Sequence, residues 1–266
     1  MRIGAAVYGA MTRPDIHQFP CLKDNFGVLV HDDESGVTLS IDAPDADAVQ
    51  RALDQRGWRL THILVTHHHA DHTAGIPALK ASSGCTVIGP RAEAHRIPEI
   101  DQEVGEPDTL AFGALRAAVI DTPGHTIGHV SYWFPEAKIA FVGDTLFAMG
   151  CGRVLEGTAE MMWGSLKKIA ALPPDTALYC GHEYTVANGR FGLSIEPDNL
   201  TLKARLEEAE RLRAEGQATL PTRVDVELET NVFLRADQRS IRERVGLPLV
   251  PDWKVFAEVR ERKNRA

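Results

Sequence analysis

Short apolar runs alternate with charged, helix-forming stretches over the first two thirds of the chain. Runs with the length and composition of buried strands occupy residues 60–65, 117–120, 138–142 and 178–180. Between them, residues 47–56 and 159–171 are predicted to be helical, and in the second stretch Met162, Leu166 and Ile169 keep an apolar spacing of four and three. This alternation predicts a mixed α/β domain.

The pattern changes near residue 182, after which strand signals largely vanish. A charged stretch over residues 198–215 keeps its apolar side chains on one face, and residues 253–263 have the spacing of a second amphipathic helix. We therefore predict a catalytic domain over residues 1–182 and a smaller helical domain over residues 183–266. The length and a 44% content of hydrophobic residues are sufficient for such a core.

Residues 66–75 read THHHADHTAG and contain four imidazoles and one carboxylate. Buried imidazoles without partners are costly, so a metal site explains this density better than packing does. A pair of metals would need more ligands than this segment supplies, and the others must come from elsewhere in the chain. Four histidines elsewhere in the chain stand alone and are interpreted as surface or structural residues: His17, His31, His62 and His95.

The geometry of this segment predicts two metal positions. If the chain stays extended after the strand, His67 and His69 point to one side and His68 to the other. A helix is predicted over residues 71–80. Asp71 and His72 stand at its beginning, so their side chains reach a different point in space from those of His67 and His69. We expect His68 to bind neither metal directly.

Three later strand ends each deliver one ligand-type residue directly after a glycine. These residues are His125, Asp144 and His182. If the strands share a sheet, the three side chains meet at one edge, where glycine lets the backbone approach closely. His129, which precedes another apolar run, is interpreted as a core residue or a partner of a ligand.

These residues, with motifs along nearly the whole chain, resemble the metallo-β-lactamase superfamily of αββα hydrolases and, within it, the glyoxalase II or hydroxyacylglutathione hydrolase family. The motifs are Lys23-Asp24-Asn25-Phe26, THHH at 66–69, TPGHT at 122–126, GDTLF at 143–147, GCGR at 150–153 and GHEYT at 181–185. The resemblance implies an αββα sandwich followed by a helical C-terminal domain. It also implies two metal positions, one held by His67, His69 and His125, the other by Asp71, His72 and His182, with Asp144 bridging both.

The resemblance implies a thioester hydrolase. Its reaction would be the hydrolysis of S-D-lactoylglutathione and related 2-hydroxyacyl glutathiones to D-lactate and glutathione by a hydroxide held between two divalent metals. Asp144 and Asp71 would be catalytic, Asp71 by orienting that hydroxide. Zinc is the expected metal, and the mixed imidazole and carboxylate ligands also suit iron or manganese.

A glutathione thioester carries two carboxylates, so a chain with a formal net charge of -8 needs local cations to bind it. The resemblance implies that four residues bind this substrate: Arg153, Tyr184, Arg260 and Lys263. The plainer interpretations are a surface ion pair between Arg153 and Glu156, a core role for Tyr184 and a solvated basic helix at the C-terminus.

The sequence departs from the family pattern at two positions. Leu155 stands where many members have an aromatic residue, and Asn264 stands where an acidic residue is expected after Lys263. The first departure predicts a missing polar contact to glutathione, and the second a less firmly oriented helix. Both concern glutathione affinity rather than the metal site.

Composition narrows the possible partners and compartment. There is no run of 18 apolar residues and no basic stripe, which argues against membrane insertion and nucleic-acid binding. Four cysteines without Cys-x-x-Cys spacing indicate neither a disulfide scaffold nor a zinc knuckle, so we expect a reducing cytoplasm. A monomer is expected as well. Residues 1–11 lack the charged region and cleavage site of a signal peptide and are expected to be a poorly ordered extension.

Two other functions are considered. A mononuclear iron persulfide dioxygenase of the same superfamily also carries His-x-His-x-Asp-His, but it needs one metal and typically lacks the long helical C-terminal domain. A non-enzymatic protein with a decayed site should have lost a ligand, and all seven ligand-type residues are present.

Overall fold

Two six-stranded sheets form the centre of the computed structural model, which describes residues 13–266. The first sheet runs in chain order through β1 (Asp15–Cys21), β2 (Asn25–Asp32), β3 (Val37–Ile41), β4 (His62–Leu64), β5 (Thr86–Pro90) and β6 (Gln102–Val104). Pairing is antiparallel from β1 to β3 and parallel from β3 to β6.

The remaining strands form the second sheet and a small hairpin. They are β7 (Thr109–Phe112), β8 (Leu115–Asp121), β9 (Val130–Phe134), β10 (Ile139–Gly143), β11 (Leu146–Phe147), β12 (Gly150–Cys151), β13 (Ala177–Cys180) and β14 (Thr222–Arg223). The second sheet has the order β14-β13-β10-β9-β8-β7, and β11 pairs with β12. Since β8 and β10 both run antiparallel to β9, and β13 is parallel to β10, the strands β8, β10 and β13 end at the same edge.

Helices cover the outer faces of both sheets. They are α1 (Ala46–Arg56), α2 (Ala70–Thr73), α3 (Ile76–Ser83), α4 (Ala159–Ala170), α5 (Thr185–Ile195), α6 (Leu200–Ala214), α7 (Val224–Thr230), α8 (Arg239–Val245) and α9 (Asp252–Asn264), with a 3-10 helix at Arg91–Arg96. The predicted helices at 47–56, 159–171, 198–215 and 253–263 are all present to within a few residues.

The alternation of side chains along the strands explains the layers. On β2, Val28 and Val30 lie in the core between the sheets, while Leu29 faces the core beneath the first layer of helices. On β4, Leu64 lies between the sheets and Ile63 on the helix side. A third core lies between the second sheet, α4 and the C-terminal helices. The predicted αββα sandwich with a helical C-terminal region is confirmed.

The single helix predicted over residues 71–80 is wrong, because the chain forms α2 and α3 with a break at Gly75. Pro77 cannot donate the backbone hydrogen bond that a continuous helix would require there. Gly75 also lies so close to the start of α1 that a Cβ would stand 2.7 Å from the Ala46 nitrogen. The break leaves Asp71 and His72 on a four-residue helix close to the sheet edge.

The expectation that strands end near residue 182 is also incomplete, because β14 adds an edge strand to the second sheet by pairing with β13. A two-residue strand contains no alternation that a sequence pattern could detect. The core that packs α4 also contains side chains of α5 to α9, so the two regions share apolar packing. The division at residues 182 and 183 stays a prediction.

Other expectations concern the ends and the cysteines. The extension expected over residues 1–11 lies outside the described residues. Among residues 13–266, no helix combines the length and apolar character needed to cross a membrane. Cys21, Cys85, Cys151 and Cys180 are all buried and unpaired with one another.

A buried carboxylate on α7 fastens the hairpin of β11 and β12 to the C-terminal helices. Glu227 is fully buried and accepts hydrogen bonds from the Met149 N–H (2.9 Å) and from the Asn231 amide (2.8 Å). Its other oxygen accepts from Arg205 (2.5 Å) and Thr222 (2.6 Å). The hairpin therefore depends on a fully satisfied charge contributed by the C-terminal region.

Replacing Glu227 by alanine should lower the free energy of unfolding by about 3 to 5 kcal/mol, because the buried Met149 N–H would lose its partner and the partly buried Arg205 would lose its carboxylate. Denaturant unfolding followed by circular dichroism measures this loss. Glu207→Ala, an exposed position on α6, is the matched control and should change stability by less than about 0.5 kcal/mol. Equal stability of the two variants would contradict the role assigned to Glu227.

Candidate metal centre and active-site cleft

The ligand-type side chains converge where strands of the two sheets end. The segment with His67, His69, Asp71 and His72 follows β4 of the first sheet, whereas His125, Asp144 and His182 follow β8, β10 and β13 of the second. Tyr132 on β9 donates from its hydroxyl to the Val65 carbonyl oxygen (2.7 Å), and the Val130 N–H donates to the Thr66 carbonyl oxygen (2.9 Å). These bonds join the sheet edges next to the cluster.

One group of nitrogens comes from His67, His69 and His125. The Nδ1 of His69 lies 3.0 Å from the Nε2 of His67 and 3.0 Å from the Nε2 of His125. The ligand atoms of the three residues all lie within 4.8 Å of one another. Their number and spacing are those of a three-histidine metal position.

A second group comes from Asp71, His72 and His182, and Asp144 lies between the two groups. The Nε2 of His182 is 3.4 Å from Asp71 Oδ2 and 3.3 Å from Asp144 Oδ2. Asp144 also approaches the Nε2 of His72 (3.4 Å) and the Nε2 of His125 (3.4 Å). Asp144 is thus the one carboxylate of the cluster in contact with both groups.

Four imidazoles use Nδ1 for a hydrogen bond that orients the ring. His72 donates to Asp42 (2.7 Å), His182 to Asp24 (3.1 Å), His125 to the Arg153 carbonyl oxygen (2.9 Å) and His67 to the Thr66 hydroxyl (3.1 Å). In each case Nε2 is left to face the shared space. Metal-binding histidines in proteins are oriented in this way.

Buried polar atoms of the cluster that have no hydrogen-bond partner indicate that these side chains can bind divalent cations. The buried His72 Nε2 and Asp144 Oδ1 have no hydrogen-bond partner. In the other group, two Nε2 lone pairs face His69 Nδ1, which can donate at most one proton. A cation in each group would satisfy all of these atoms.

The pKa values of the buried ligand-type residues also fit a cation-binding site. Burial lowers the pKa of His67 far below its usual value, and the neighbouring imidazoles lower it further. Burial also acts against a charged His72, but the carboxylates of Asp144 and Asp42 outweigh it and raise the pKa of His72 to about 9. At Asp144, burial is outweighed by His72 and His182, which hold the pKa of the carboxyl well below its usual range. A bound cation would replace the proton that His72 otherwise retains.

His68 and His129, which are not expected to be direct metal ligands, both contact residues of the cluster. His68 belongs to neither of the two groups described above, and its Nδ1 lies 2.7 Å from Oε2 of Glu93. His129 is fully buried and accepts a hydrogen bond from the Asp144 N–H through Nε2 (3.1 Å). Burial lowers the pKa of His129 to about 3, so it stays neutral and remains an acceptor.

Sequence reasoning missed the carboxylates and the amide that orient the ligands. Asp42 holds His72 and also accepts from the backbone N–H of Thr66 (2.7 Å). Asp24 holds His182, and Asn25 donates to Asp71 Oδ2 (3.2 Å). Asp24 and Asn25 belong to the motif at 23–26, so this motif contributes two residues that orient ligands.

A cleft of about 410 Å³ opens from the cluster toward α5 and α9. His125 and Asp144 line its inner end. The residues predicted to bind substrate all line it as well: Arg153, Tyr184, Arg260 and Lys263. The structure therefore brings these four side chains together beside the ligand-type residues.

The contacts of the cleft residues follow the plainer interpretations only in part, since the half-buried Tyr184 does pack against the core that contains α4 and the C-terminal helices. Tyr184 stacks on the His182 ring with centroids 4.8 Å apart, and its hydroxyl lies 3.5 Å from Asp24. Arg153 is exposed, and Glu156 pairs instead with Arg96 (2.7 Å). The predicted ion pair between Arg153 and Glu156 does not occur among the described residues.

Two of the basic residues of α9 line the cleft wall: Arg260 is buried and Lys263 is partly buried. Arg260 donates to the Cys151 carbonyl oxygen (3.0 Å), and Lys263 donates to the Ala187 carbonyl oxygen (2.9 Å). Burial, followed by the nearby charge of Arg260, lowers the pKa of Lys263. This proximity of two cations suits an anionic ligand, which would relieve their mutual repulsion.

Comparison with known proteins decides the family. The family model described as the metallo-beta-lactamase superfamily matches residues 40–182, and the model of the hydroxyacylglutathione hydrolase C-terminus matches residues 183–266. A hydroxyacylglutathione hydrolase from Brucella ovis is 54% identical over 252 residues, which cover 95% of this chain and 98% of that protein. The chain belongs to the hydroxyacylglutathione hydrolase family.

Solved structures are similar at the level of the fold. The crystal structure of ETHE1 from Myxococcus xanthus aligns with a TM-score of 0.65 at 25% identity, covering 94% of this chain and 98% of that one. The crystal structure of TTHA1623 in a di-iron-bound form aligns with a TM-score of 0.55 at 26% identity, covering 63% of this chain and 91% of that one. Fold and donor set together indicate a divalent-metal site.

Gly181→Ala should empty this site while leaving the chain folded. A Cβ at Gly181 would stand 2.6 Å from Asp144 Oδ1 and 2.7 Å from His72 Cε1, so both side chains would have to move. We expect loss of at least half of the bound metal, measured by elemental analysis. Gly164→Ala on α4, where a Cβ meets no atom within 4 Å, is the control and should keep its metal. Full metal content in Gly181→Ala would show that this close approach is not needed.

Proposed function

We propose that the chain hydrolyses the thioester of S-D-lactoylglutathione and related 2-hydroxyacyl glutathiones, releasing D-lactate and glutathione. The observation that carries this proposal is the cleft that joins a cluster of metal-binding side chains to a wall with three cationic residues. A glutathione thioester has a reactive carbonyl at one end and carboxylates at the other. The cleft offers complementary groups in that order.

In this proposal each group of ligands would hold one divalent ion, and Asp144, which approaches residues of both groups, would be shared between them. The first ion is assigned to His67, His69 and His125, and the second to Asp71, His72 and His182. Support comes from the two separate sets of converging donor atoms. Zinc is the first choice, and iron or manganese would also suit imidazole and carboxylate ligands.

Bound ions of this kind lower the pKa of a coordinated water and polarise a carbonyl oxygen. The protein's own contribution is to fix the geometry around them. Asn25 holds the carboxylate of Asp71 in place (3.2 Å), and Asp71, which is partly exposed, can accept a hydrogen bond from the attacking water. The departing thiolate is a weak enough base to leave without a strong general acid, so none is assigned.

The far end of the substrate is assigned to the cationic wall. Arg153, Arg260 and Lys263 would pair with its carboxylates, and the Tyr184 hydroxyl would hydrogen-bond its backbone. Lys263 uses one N–H for the Ala187 carbonyl and keeps donors for a ligand. The proposal includes action as a monomer in the cytoplasm, where four buried, unpaired cysteines would be stable.

Chelation should abolish thioester hydrolysis, and added metal should restore it. The assay follows the loss of thioester absorbance of S-D-lactoylglutathione by the purified chain, before and after dialysis against a chelator. Zinc, iron and manganese are then added back separately, and we expect two equivalents of ion per chain at full activity. Undiminished hydrolysis by the metal-free chain would overturn the proposed mechanism.

The same assay separates the hydrolase from a persulfide dioxygenase. The helical C-terminal region argues for the hydrolase, because residues 183–266 match the hydroxyacylglutathione hydrolase C-terminus whereas the dioxygenase also carries His-x-His-x-Asp-His. Oxygen consumption with glutathione persulfide, while the thioester stays intact, would favour the dioxygenase.

Lys263→Met should raise KM roughly tenfold with a much smaller change in kcat, because it removes a charged hydrogen bond made away from the reacting carbonyl. Arg260→Ala should act in the same direction, with added loss of packing because that side chain is buried. Lys254→Met on the exposed face of α9 is the control and should leave KM unchanged. An unchanged KM in Lys263→Met would remove this residue from substrate recognition.

A further inference from the structure

Glu93 is a buried carboxylate that lies beside the cluster of ligand-type residues. The proposed reaction assigns no role to Glu93. It lies on the 3-10 helix Arg91–Arg96 and is 2% exposed. Its Oε2 accepts hydrogen bonds from the backbone N–H of His68 (3.0 Å) and from the Nδ1 of His68 (2.7 Å). Its Oε1 accepts from the backbone N–H of Gly128 (2.7 Å). Three N–H groups therefore converge on one carboxylate.

These N–H groups belong to two loops, and each loop carries ligands of the first group. His68 lies between His67 and His69 in the chain, so fixing its backbone fixes the peptide that joins these two ligands. Gly128 lies three residues after His125, in the loop between β8 and β9. One rigid carboxylate thus ties together the two loops whose separation sets the distances among the three imidazoles.

Glu93 packs closely against the loop between β8 and β9, at Gly128. A Cβ on Gly128 would stand 2.6 Å from Glu93 Cγ and 2.8 Å from the Ala92 Cβ. Glu156 supports the same loop from the other side, accepting from the Ile127 N–H (3.2 Å) and lying 3.6 Å from the Nε2 of His68. The loop with His125 is therefore held between two carboxylates.

The second group of ligands is oriented by other carboxylates. Asp42 accepts from His72 (2.7 Å) and Asp24 from His182 (3.1 Å). Among the hydrogen bonds of residues 13–266, none joins Glu93 to Asp71, His72 or His182. The two groups share Asp144 and also Asp42, which accepts from the Thr66 hydroxyl beside His67, whereas the described hydrogen bonds of Glu93 join it only to the loops that carry the first group.

We propose that Glu93 is a positioning residue that sets the cation affinity of the group formed by His67, His69 and His125, independently of the other group. This inference rests on the two metal positions of the proposed function. Glutamine at this position has one acceptor oxygen and one NH2. Because all of the partners of Glu93 are donors, the NH2 would face an N–H and release one of the two loops. Loss of such an outer partner typically weakens metal binding by about 10- to 100-fold.

The test measures the Zn²⁺ affinity of each group alone. His182→Ala leaves the first group intact, and His69→Ala leaves the second. Glu93→Gln is added to each background, and affinity is measured by competition with a chromogenic chelator. We expect Glu93→Gln to weaken Zn²⁺ binding roughly 10- to 100-fold in the His182→Ala background and less than about threefold in the His69→Ala background.

Two further variants control this experiment. Glu103→Gln, at an exposed position on the nearby β6, should change neither affinity. His68→Leu keeps the backbone contacts of Glu93 and removes only the imidazole, so it should weaken the first group alone and by less. It serves as the test variant if Glu93→Gln does not fold, as judged by circular dichroism of the metal-free chains.

Equal weakening in both backgrounds would overturn the proposal, because it would indicate general loosening rather than support of one group. Unchanged affinity in both backgrounds would overturn it as well. These outcomes are distinct from failure of the proposed function. That failure would appear in the unsubstituted chain, as binding of fewer than two Zn²⁺ ions or as an intact thioester.

Discussion

The buried charge of Asp144 is the constraint on which the arrangement of the site depends. A carboxylate that is 6% exposed is stable only among cations and donors, and three imidazoles approach it within 3.4 Å. The backbone N–H of Asp144 is itself fixed by the neutral ring of His129. Because Asp144 touches both groups of ligands, any shift of the β10 end would disturb both.

The two sheets contribute differently to this site. The second sheet delivers His125, Asp144 and His182 from the ends of β8, β10 and β13, and each follows a glycine. The first sheet delivers one ligand-rich segment after β4 and the outer carboxylates Asp24, Asp42 and Glu93 from its other connections. A ligand and the acid that orients it therefore come from different parts of the chain, which makes the site a product of the assembled sandwich.

This division explains what could be predicted from the sequence. The ligands were identifiable because imidazoles are rare and their spacing around strand ends is local. Asp42 was not identifiable, since 30 residues separate it from His72 and a lone aspartate resembles a solvated charge. Glu93 was not identifiable for the same reason, because it is 25 residues from His68 and stands in a polar segment. Its partners emerge only from tertiary pairing. The break at Gly75 and the short β14 depend on packing that no periodicity encodes.

The departures from the family pattern have unequal consequences. Asn264 was expected to leave α9 less firmly oriented, yet its side-chain oxygen accepts from the Nε of Arg260 (3.2 Å), on the turn that precedes it. The guanidinium of Arg260 also lies over the Phe233 ring (5.0 Å) and donates to the Cys151 carbonyl oxygen, so two regions of the chain fix it. Leu155, by contrast, is 57% exposed, and an apolar side chain offers no hydrogen bond there. Since α9 is held without an acidic residue at 264, Leu155 is the departure that bears on the proposed binding of glutathione.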